Sequence, residues 1–316
     1  MKICRGDGEV PKLDRAIATI GTFDGVHRGH QAVLKSLTSW AQEAGAPAGV
    51  ITFAQHPRVV LDGRGPDLVT SLEHRLVLFE RAGIQFAWVL DFSQELSQLN
   101  AEEFARRYLG GRMPLRGLVL GFDSRFGCDR MGADSPGLAP LAQALGFEVR
   151  CLPQVLTPEG LPISSTLIRE AVCDGRLRDA EAMLGRRVSV LGTVIRGEAR
   201  GRRLGFATAN LDLGHEVRPP FGVYATQAEF EGRRFKSVTN VGYRPTVTQS
   251  LTPGTKPDLL IETHLFDFSG DLYGKTLEVS FIEKLRDERR FPDVKALAEQ
   301  IQKDETRARM ILEAQS

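Results

Sequence analysis

Apolar and polar positions change rhythm once along the chain, near residue 185. Before that point, short apolar runs alternate with segments of helical period. Residues 16–20, 49–53, 86–90, 117–120 and 147–152 read as strands. Between the first two, Val33, Leu34, Leu37, Trp40, Ala41 and Ala44 recur at helical spacing; Leu138, Leu141, Ala142 and Leu145 do the same later. Ser164, Ser165 and Thr166 offer capping hydroxyls before Leu167, Ile168, Ala171 and Val172, and Gly175 can end that turn. Leu177, Ala180, Met183 and Leu184 follow, with Gly185 as the next stop. Strand–helix alternation predicts an α/β domain with a parallel sheet covered on both faces.

After residue 185 the strands come without helices between them: 188–195, 221–228, 237–241, 259–265 and 277–282. Leu277, Val279 and Phe281 alternate with Glu278 and Ser280, the period of a half-buried strand. Gly, Pro and Asn separate the runs, which predicts a small antiparallel barrel. One helix closes the chain, with Val294, Leu297, Ala298, Ile301, Ala308, Ile311 and Leu312 on one stripe and Pro292 and Asp293 at its start. The expected domains are 1–184 and 185–316. No internal repeat interrupts either.

A length of 316 residues agrees with two domains at about 150 residues each. Apolar residues at 42% and charged residues at 26% are ordinary globular values. Lys plus Arg is 41 against 40 Asp plus Glu, a net charge of +1. That balance argues against bulk nucleic acid or an anionic membrane as the main partner and leaves local anion sites open. Cys4, Cys128, Cys151 and Cys173 form no C-x-x-C and have no His cluster beside them, so neither a disulfide framework nor structural zinc is expected. Reduced thiols, an N-terminus without a signal-peptide core and no apolar run near 18 residues together predict a cytoplasmic protein. An oligomer is compatible with the sequence, but nothing in it predicts one.

The strongest local signal runs Gly21-Thr22-Phe23-Asp24-Gly25-Val26-His27-Arg28-Gly29-His30, between the first strand and the first helix. A helix N-terminus there offers free N–H groups and positive dipole to a phosphate, and the glycines let backbone approach a ligand. His27 and His30, three apart, share a face, where two imidazoles can stabilise charge in a nucleotidyl-transfer transition state. On chemistry alone a metal pair or ordinary polar helix-start residues stay open.

His27-Arg28-Gly29-His30 resembles the H-x-G-H signature of the nucleotidylyltransferase superfamily. The wider stretch resembles the N-terminal module of the bacterial bifunctional riboflavin kinase/FMN adenylyltransferases, or FAD synthetases. Ile163-Ser164-Ser165-Thr166-Leu167-Ile168-Arg169 resembles their second signature. The resemblance implies a Rossmann-like domain that binds ATP through Gly21, Phe23, Asp24, Gly25, His27, Gly29, His30, Ser164, Ser165, Thr166 and Arg169. It implies flavin contacts at His56, Asp123, Arg125 and Phe126, and catalytic roles for His27 and His30. The sequence departs from the family in Thr52-Phe53-Ala54-Gln55-His56-Pro57, where an acidic residue and a proline usually precede His-Pro. In Leu120-Gly121-Phe122-Asp123-Ser124-Arg125-Phe126-Gly127, Ser124 replaces an aromatic.

In the second half, a glycine-rich basic loop leads from Gly192 to Thr208-Ala209-Asn210. Its spacings are neither those of a Walker loop nor of a dinucleotide fingerprint. Glycines and arginines can cradle phosphates, and Thr208 and Asn210 are oxygen ligands suited to magnesium–nucleotide; a solvated basic turn is the plain alternative. Gly205-Phe206-Ala207-Thr208-Ala209-Asn210 resembles the riboflavin kinase signature, with Ala207 where the family has proline. Phe221-Gly222-Val223-Tyr224, Asn240-Val241-Gly242-Tyr243-Arg244-Pro245-Thr246, Ile261-Glu262-Thr263-His264-Leu265-Phe266-Asp267-Phe268 and Asp271-Leu272-Tyr273-Gly274 match further family segments in order. The resemblance implies ATP and Mg²⁺ contacts at Gly197, Arg202, Gly205, Phe206, Thr208 and Asn210, with Thr208 and Asn210 as metal ligands. It implies Glu262 as the catalytic base; His264, two residues on, shares its face. Arg286, Arg289 and Arg290 read as a solvated face.

The implied function is phosphorylation of riboflavin to FMN by MgATP, then adenylylation of FMN to FAD with loss of pyrophosphate. Its partners are the small molecules riboflavin, FMN and ATP. The alternatives are a riboflavin kinase with a degenerate first domain, and a flavin- or nucleotide-binding regulator without turnover.

Overall fold

In the computed structural model, residues 1–6, 15–196, 208–214, 216–243, 259–289 and 291–314 are described. Five strands expected in the first half gain an edge strand and form one sheet. β1 (Lys2–Arg5), β2 (Ala16–Ile20), β3 (Ala48–Phe53), β4 (Phe86–Leu90) and β5 (Leu115–Leu120) precede a separate hairpin of β6 (Arg125–Phe126) and β7 (Met131–Gly132), and β8 (Glu148–Cys151) follows. The sheet order is β1-β4-β3-β2-β5-β8, and every pairing is parallel. The chain reverses its direction of travel across the sheet between β2 and β5. At such a switch point the loops at the carboxyl ends part and leave a crevice.

The central strands are covered on both faces, so β2, β3 and β4 are buried at successive rather than alternate positions. All five residues of β2 are buried. Ala16, Ala18 and Ile20 join Trp88 and Phe104 on one face; Ile17 joins Val50 and the helix α1 (Arg28–Ala44), through Leu34, Leu37 and Trp40, on the other. The remaining helices of this half are α2 (Arg58–Leu61), α3 (Leu72–Arg81), α4 (Gln94–Gln98), α5 (Ala101–Phe104) running on as a π-helix over Ala105–Arg112, α6 (Leu138–Leu145), α7 (Ser165–Cys173) and α8 (Leu177–Leu184). Gly175 ends α7 at φ +77°, with Arg176 N–H donating to Ala171 O at 2.8 Å.

Gly49 lies opposite Phe86 in the β3–β4 register, and a Cβ there would come within 1.8 Å of the Phe86 ring. The ring is fully buried, so it has nowhere to retreat. Gly49→Ala is expected to destabilise the protein by roughly 1–3 kcal/mol through overpacking. A urea melt followed by far-ultraviolet circular dichroism reads this as a lower midpoint; an unchanged midpoint would show that the ring can move.

The second half forms a closed barrel. β9 (Ser189–Ile195), β10 (Ala209–Asp212), β11 (Gly222–Phe230), β12 (Arg233–Tyr243), β13 (Leu259–Leu265) and β14 (Thr276–Arg286) pair antiparallel in the order β10-β13-β12-β11-β14-β9. Closure leaves no unpaired edge. The last helix, α9 (Val294–Glu313), is capped by Asp293, whose side chain accepts Ala296 N–H at 2.8 Å. It buries Ala308 and Leu312 against Val223, Ala225, Phe266 and Leu285.

Two expectations about this end need correction. Val294 is 63% exposed, because the first turn of α9 lies outside that apolar cluster. Arg286 is not a solvated residue: its guanidinium holds the buried Asp304 of α9 at 2.8 Å, and so ties the last strand to the last helix. The chain divides into two compact units, one of Met1–Ile168 with Met183–Gly185 and a second of Arg169–Ala182 with Arg186–Ser316.

Candidate functional site

In the first unit, the carboxyl ends of β2, β3 and β5 open into a cavity of about 700 Å³. Gly21, Phe23, His27, Gly29 and His30 line one side of it. The loop that carries them is held in an uncommon backbone. Phe23 has φ +53°, Gly25 +82° and Val26 +39°. Left-handed φ at a phenylalanine and a β-branched valine is rare, and such conformations persist only where surrounding structure imposes them.

The turn delivers His27 to the N-cap of α1, where its Nδ1 accepts His30 N–H at 3.4 Å. The two imidazoles stack with centroids 3.6 Å apart and planes 16° apart. The Phe23 ring meets the edge of His30 at 5.0 Å. Gly29 packs closely here: a Cβ would come within 3.2 Å of the His27 ring. Gln31 fixes the same end by donating to Val26 O at 2.8 Å and Leu184 O at 2.7 Å.

The second signature reaches this loop from behind. Ser165 Oγ donates to Asp24 O at 2.9 Å, while Ser164 Oγ accepts Leu167 N–H at 3.3 Å as the cap of α7. Asp24 and Gly25 do not line the cavity either: Asp24 Oδ1 accepts Thr70 N–H at 3.0 Å, and Gly25 N–H donates to Thr70 Oγ1 at 2.7 Å. Thr166 follows Ser165 in the first turn of α7, and Arg169 lies one turn on, in the second unit.

His56, Asp123, Arg125 and Phe126 all line the cavity, and so does Ser124. Ser124 Oγ accepts Gly121 N–H at 3.0 Å and tightens the turn after β5, which leaves Phe122 55% exposed on the cavity wall. Arg125 is already engaged, with Asp134 at 3.0 Å and Ser124 O at 2.9 Å. Ala54 and Gln55 fall outside the lining; Gln55 Nε2 donates to Phe92 O at 3.2 Å.

Sequence reasoning missed two parts of this site. The apolar floor comes from Phe53, Phe92, Leu96 and Phe104. The clamp behind the loop comes from Thr70 and Arg75. Arg75 is 3% exposed and donates to Thr22 O, to Thr52 Oγ1 at 3.0 Å and to Phe53 O at 3.2 Å. Burial pushes its guanidinium down from its usual range, and the Asp24 and Glu73 carboxylates push it up. A signal for it exists in the helical period: Leu72, Arg75, Leu76 and Phe79 fall on one stripe, so a cation sits among core positions.

In the second unit the barrel register sets a polar row. Asn210 of β10 and Asn240 of β12 both lie directly opposite Glu262 of β13. Directly opposed residues point to one face, so the three side chains share it. The half-buried Glu262 stands between them. Asn210 is 5% exposed, and its Oδ1 has no hydrogen-bond partner among the described residues. Thr208 directly precedes β10. The neighbouring residue Thr263 points the other way, into a buried hydroxyl chain in which Thr239 Oγ1 lies 3.0 Å from Thr263 Oγ1 and Thr226 Oγ1 2.8 Å from both Thr239 and Ser237. Burial pushes the Tyr224 phenol up to about 12, so it stays neutral, donating to Pro220 O. Gly197, Arg202, Gly205, Phe206 and Ala207, with Arg244 to Thr246 and Arg290, lie outside the described residues. Among the described residues no cluster of three His, Cys, Asp or Glu forms a metal site, and no helix is long and apolar enough to cross a membrane.

Comparison with known proteins agrees with both halves. The FAD synthetase family model matches residues 10–167 and the riboflavin kinase model residues 184–312. The bifunctional riboflavin kinase/FMN adenylyltransferase of Pseudomonas fluorescens is 36% identical over 98% of each chain. That of Bacillus subtilis is 34% identical over 93% of this chain and 92% of its own. A crystal structure described as a macrolide-efflux protein from Streptococcus pneumoniae superposes with a TM-score of 0.78 at 30% identity, covering 98% of this chain and 99% of that one. Motifs, fold and relatives coincide over nearly the whole length, and the chain belongs to the bifunctional riboflavin kinase/FMN adenylyltransferase family.

Proposed function

We propose that residues 185–316 phosphorylate riboflavin with ATP and that residues 1–184 adenylylate the resulting FMN to FAD. The observation that carries this reading is the separate construction of two sites: stacked His27 and His30 on one cavity, and Glu262 between two asparagines on the barrel.

In the adenylyl-transfer site, the free N–H groups at the start of α1 and the two imidazoles face the charge that builds as an FMN phosphate oxygen attacks the α-phosphorus of ATP. The bond to pyrophosphate breaks, and no covalent enzyme intermediate forms. Phe53, Phe92 and Phe122 offer apolar surface to the isoalloxazine ring. Gly21, Phe23 and Gly29 border the nucleotide, while Asp24, Gly25 and Ser165 serve it by holding the loop. Thr166, next to Ser165 in the first turn of α7, offers a further hydroxyl to the outer phosphates. His56, Asp123 and Phe126 border the flavin, and Arg125 orders the hairpin beside it.

In the kinase site, Glu262 accepts the proton of the ribityl hydroxyl as that oxygen attacks the γ-phosphorus and ADP leaves. Asn210 Oδ1, a buried acceptor without a partner among the described residues, and the Thr208 hydroxyl fit a divalent cation. Bound there, Mg²⁺ supplies charge neutralisation on the ATP phosphates. This reading calls for small-molecule partners only, with neither nucleic acid nor membrane, and places the protein in the cytoplasm.

The test is a chromatographic time course with riboflavin, ATP and Mg²⁺. FMN should appear first and FAD after it, and excess EDTA should stop the formation of both. FMN that accumulates without FAD would reduce the protein to a kinase. Unchanged riboflavin would leave a binding protein.

A further inference from the structure

Arg75 is a buried cation that none of the motifs contains. It projects from α3 into the base of the loop that carries His27 and His30. Its guanidinium joins two separate pieces of chain: Thr22 O after β2, and the end of β3 through Thr52 Oγ1 and Phe53 O. Thr52 Oγ1 itself donates to Thr22 O at 3.4 Å. Five residues earlier, Thr70 ties Asp24 and Gly25 at 3.0 and 2.7 Å. Thr22, Asp24 and Gly25, on either side of Phe23 at φ +53°, are thus held by Thr70 and Arg75, just before and within the first turns of α3.

This is an expensive way to fill a core. Arg75 Nε finds no partner among the described residues, and an apolar side chain of similar volume would avoid desolvating a charge. What the arginine does that an apolar group cannot is hold carbonyls in fixed positions. Thr22 is followed by Phe23 at φ +53°, whose ring meets His30 at 5.0 Å and the buried Phe79 of α3 at 5.6 Å. A chain of contacts therefore runs from the guanidinium, through Thr22 and Phe23, to the imidazole stack.

We infer that Arg75 is a positioning residue for adenylyl transfer: with Thr70 it holds the loop 22–25 in its left-handed turn, so that His27 and His30 stack toward the cavity. This rests on the reading of that cavity as the adenylyl-transfer site. Arg75 does not line the cavity. Its effect should appear in the rate of the transfer step rather than in ATP binding, because preorganised groups act mainly on the transition state.

The test uses Arg75→Met and Arg75→Lys in the full chain, assayed at a temperature where circular dichroism shows each variant folded. Riboflavin phosphorylation in the same preparation is the internal control and should be unchanged. For Arg75→Met the kcat of FMN-to-FAD conversion should fall by about 10²-fold, as a displacement near 1 Å does, with the Kd for ATP changing little. Arg75→Lys, with the charge but without the fork, should recover part of the loss. The His27 and His30 imidazole resonances should shift in Arg75→Met, since the ring stack moves. A folded Arg75→Met with unshifted imidazoles and a kcat within about twofold of the parent overturns the inference, as does a loss confined to ATP affinity. If the parent chain makes no FAD, the reading of the cavity fails, and the imidazole resonances still decide whether Arg75 sets the loop.

Discussion

Glu262→Gln is expected to slow riboflavin phosphorylation by about 10²–10⁴-fold, the usual contribution of a general base, and to leave FMN-to-FAD conversion at the parent rate. Glutamine keeps the size of the side chain and one acceptor oxygen, so it still fits between Asn210 and Asn240 across the register. It cannot take the proton from the attacking hydroxyl. The loss should therefore lie in kcat, with the KM for riboflavin little changed, because the carboxylate acts as the proton moves rather than while substrate sits in place. Feeding FMN directly to the variant measures the other reaction in the same tube. A variant that phosphorylates riboflavin at near the parent rate would remove Glu262 from the chemistry. The neighbouring Thr263 belongs to the buried hydroxyl chain on the opposite side of β13 and offers no substitute base.

The register explains why the kinase residues could be named from sequence while their arrangement could not. Alternation along residues 259–265 places Glu262 and His264 on one face and Thr263 on the other. That Asn210 and Asn240 stand on either side of Glu262 depends on pairing between strands well separated along the chain, which no local pattern encodes. In the first unit the same limit applies more strongly. The buried strands β2, β3 and β4 announce themselves as apolar runs, and α1 as a stripe. β1 does not, because Lys2, Ile3, Cys4 and Arg5 form a half-covered edge without clean alternation. The run 101–112 escapes for a different reason: its π turns break the 3.6-residue period that identifies a helix. Among site residues, the loop and its histidines were legible because they lie together in one short run, Gly21 to His30, that resembles a family signature. Arg75 was legible only as a cation on an apolar stripe, since its meaning lies in which carbonyls it meets. Of the departures from the family pattern, Ala54 and Gln55 lie off the cavity wall, whereas Ser124 is on it.

The imidazole pair gives the other large effect, and the choice of residue decides what is learned. His27 is both a stacked ring and the N-cap of α1, so His27→Ala mixes lost chemistry with a weakened helix start, worth about 1 kcal/mol. His30 lies within the first turn of α1, where alanine is a better helix former than histidine. His30→Ala therefore removes an imidazole without removing a cap. FMN adenylylation is expected to fall by about 10²–10³-fold, the loss seen when one preorganised group facing developing charge is deleted. Riboflavin phosphorylation should continue unchanged, and FMN should accumulate in the coupled assay. Loss of both reactions in a folded His30→Ala protein would contradict two independent sites. Unimpaired FAD formation would mean that the stack beneath the cavity is packing alone, and that the backbone N–H groups of α1 carry the phosphate by themselves.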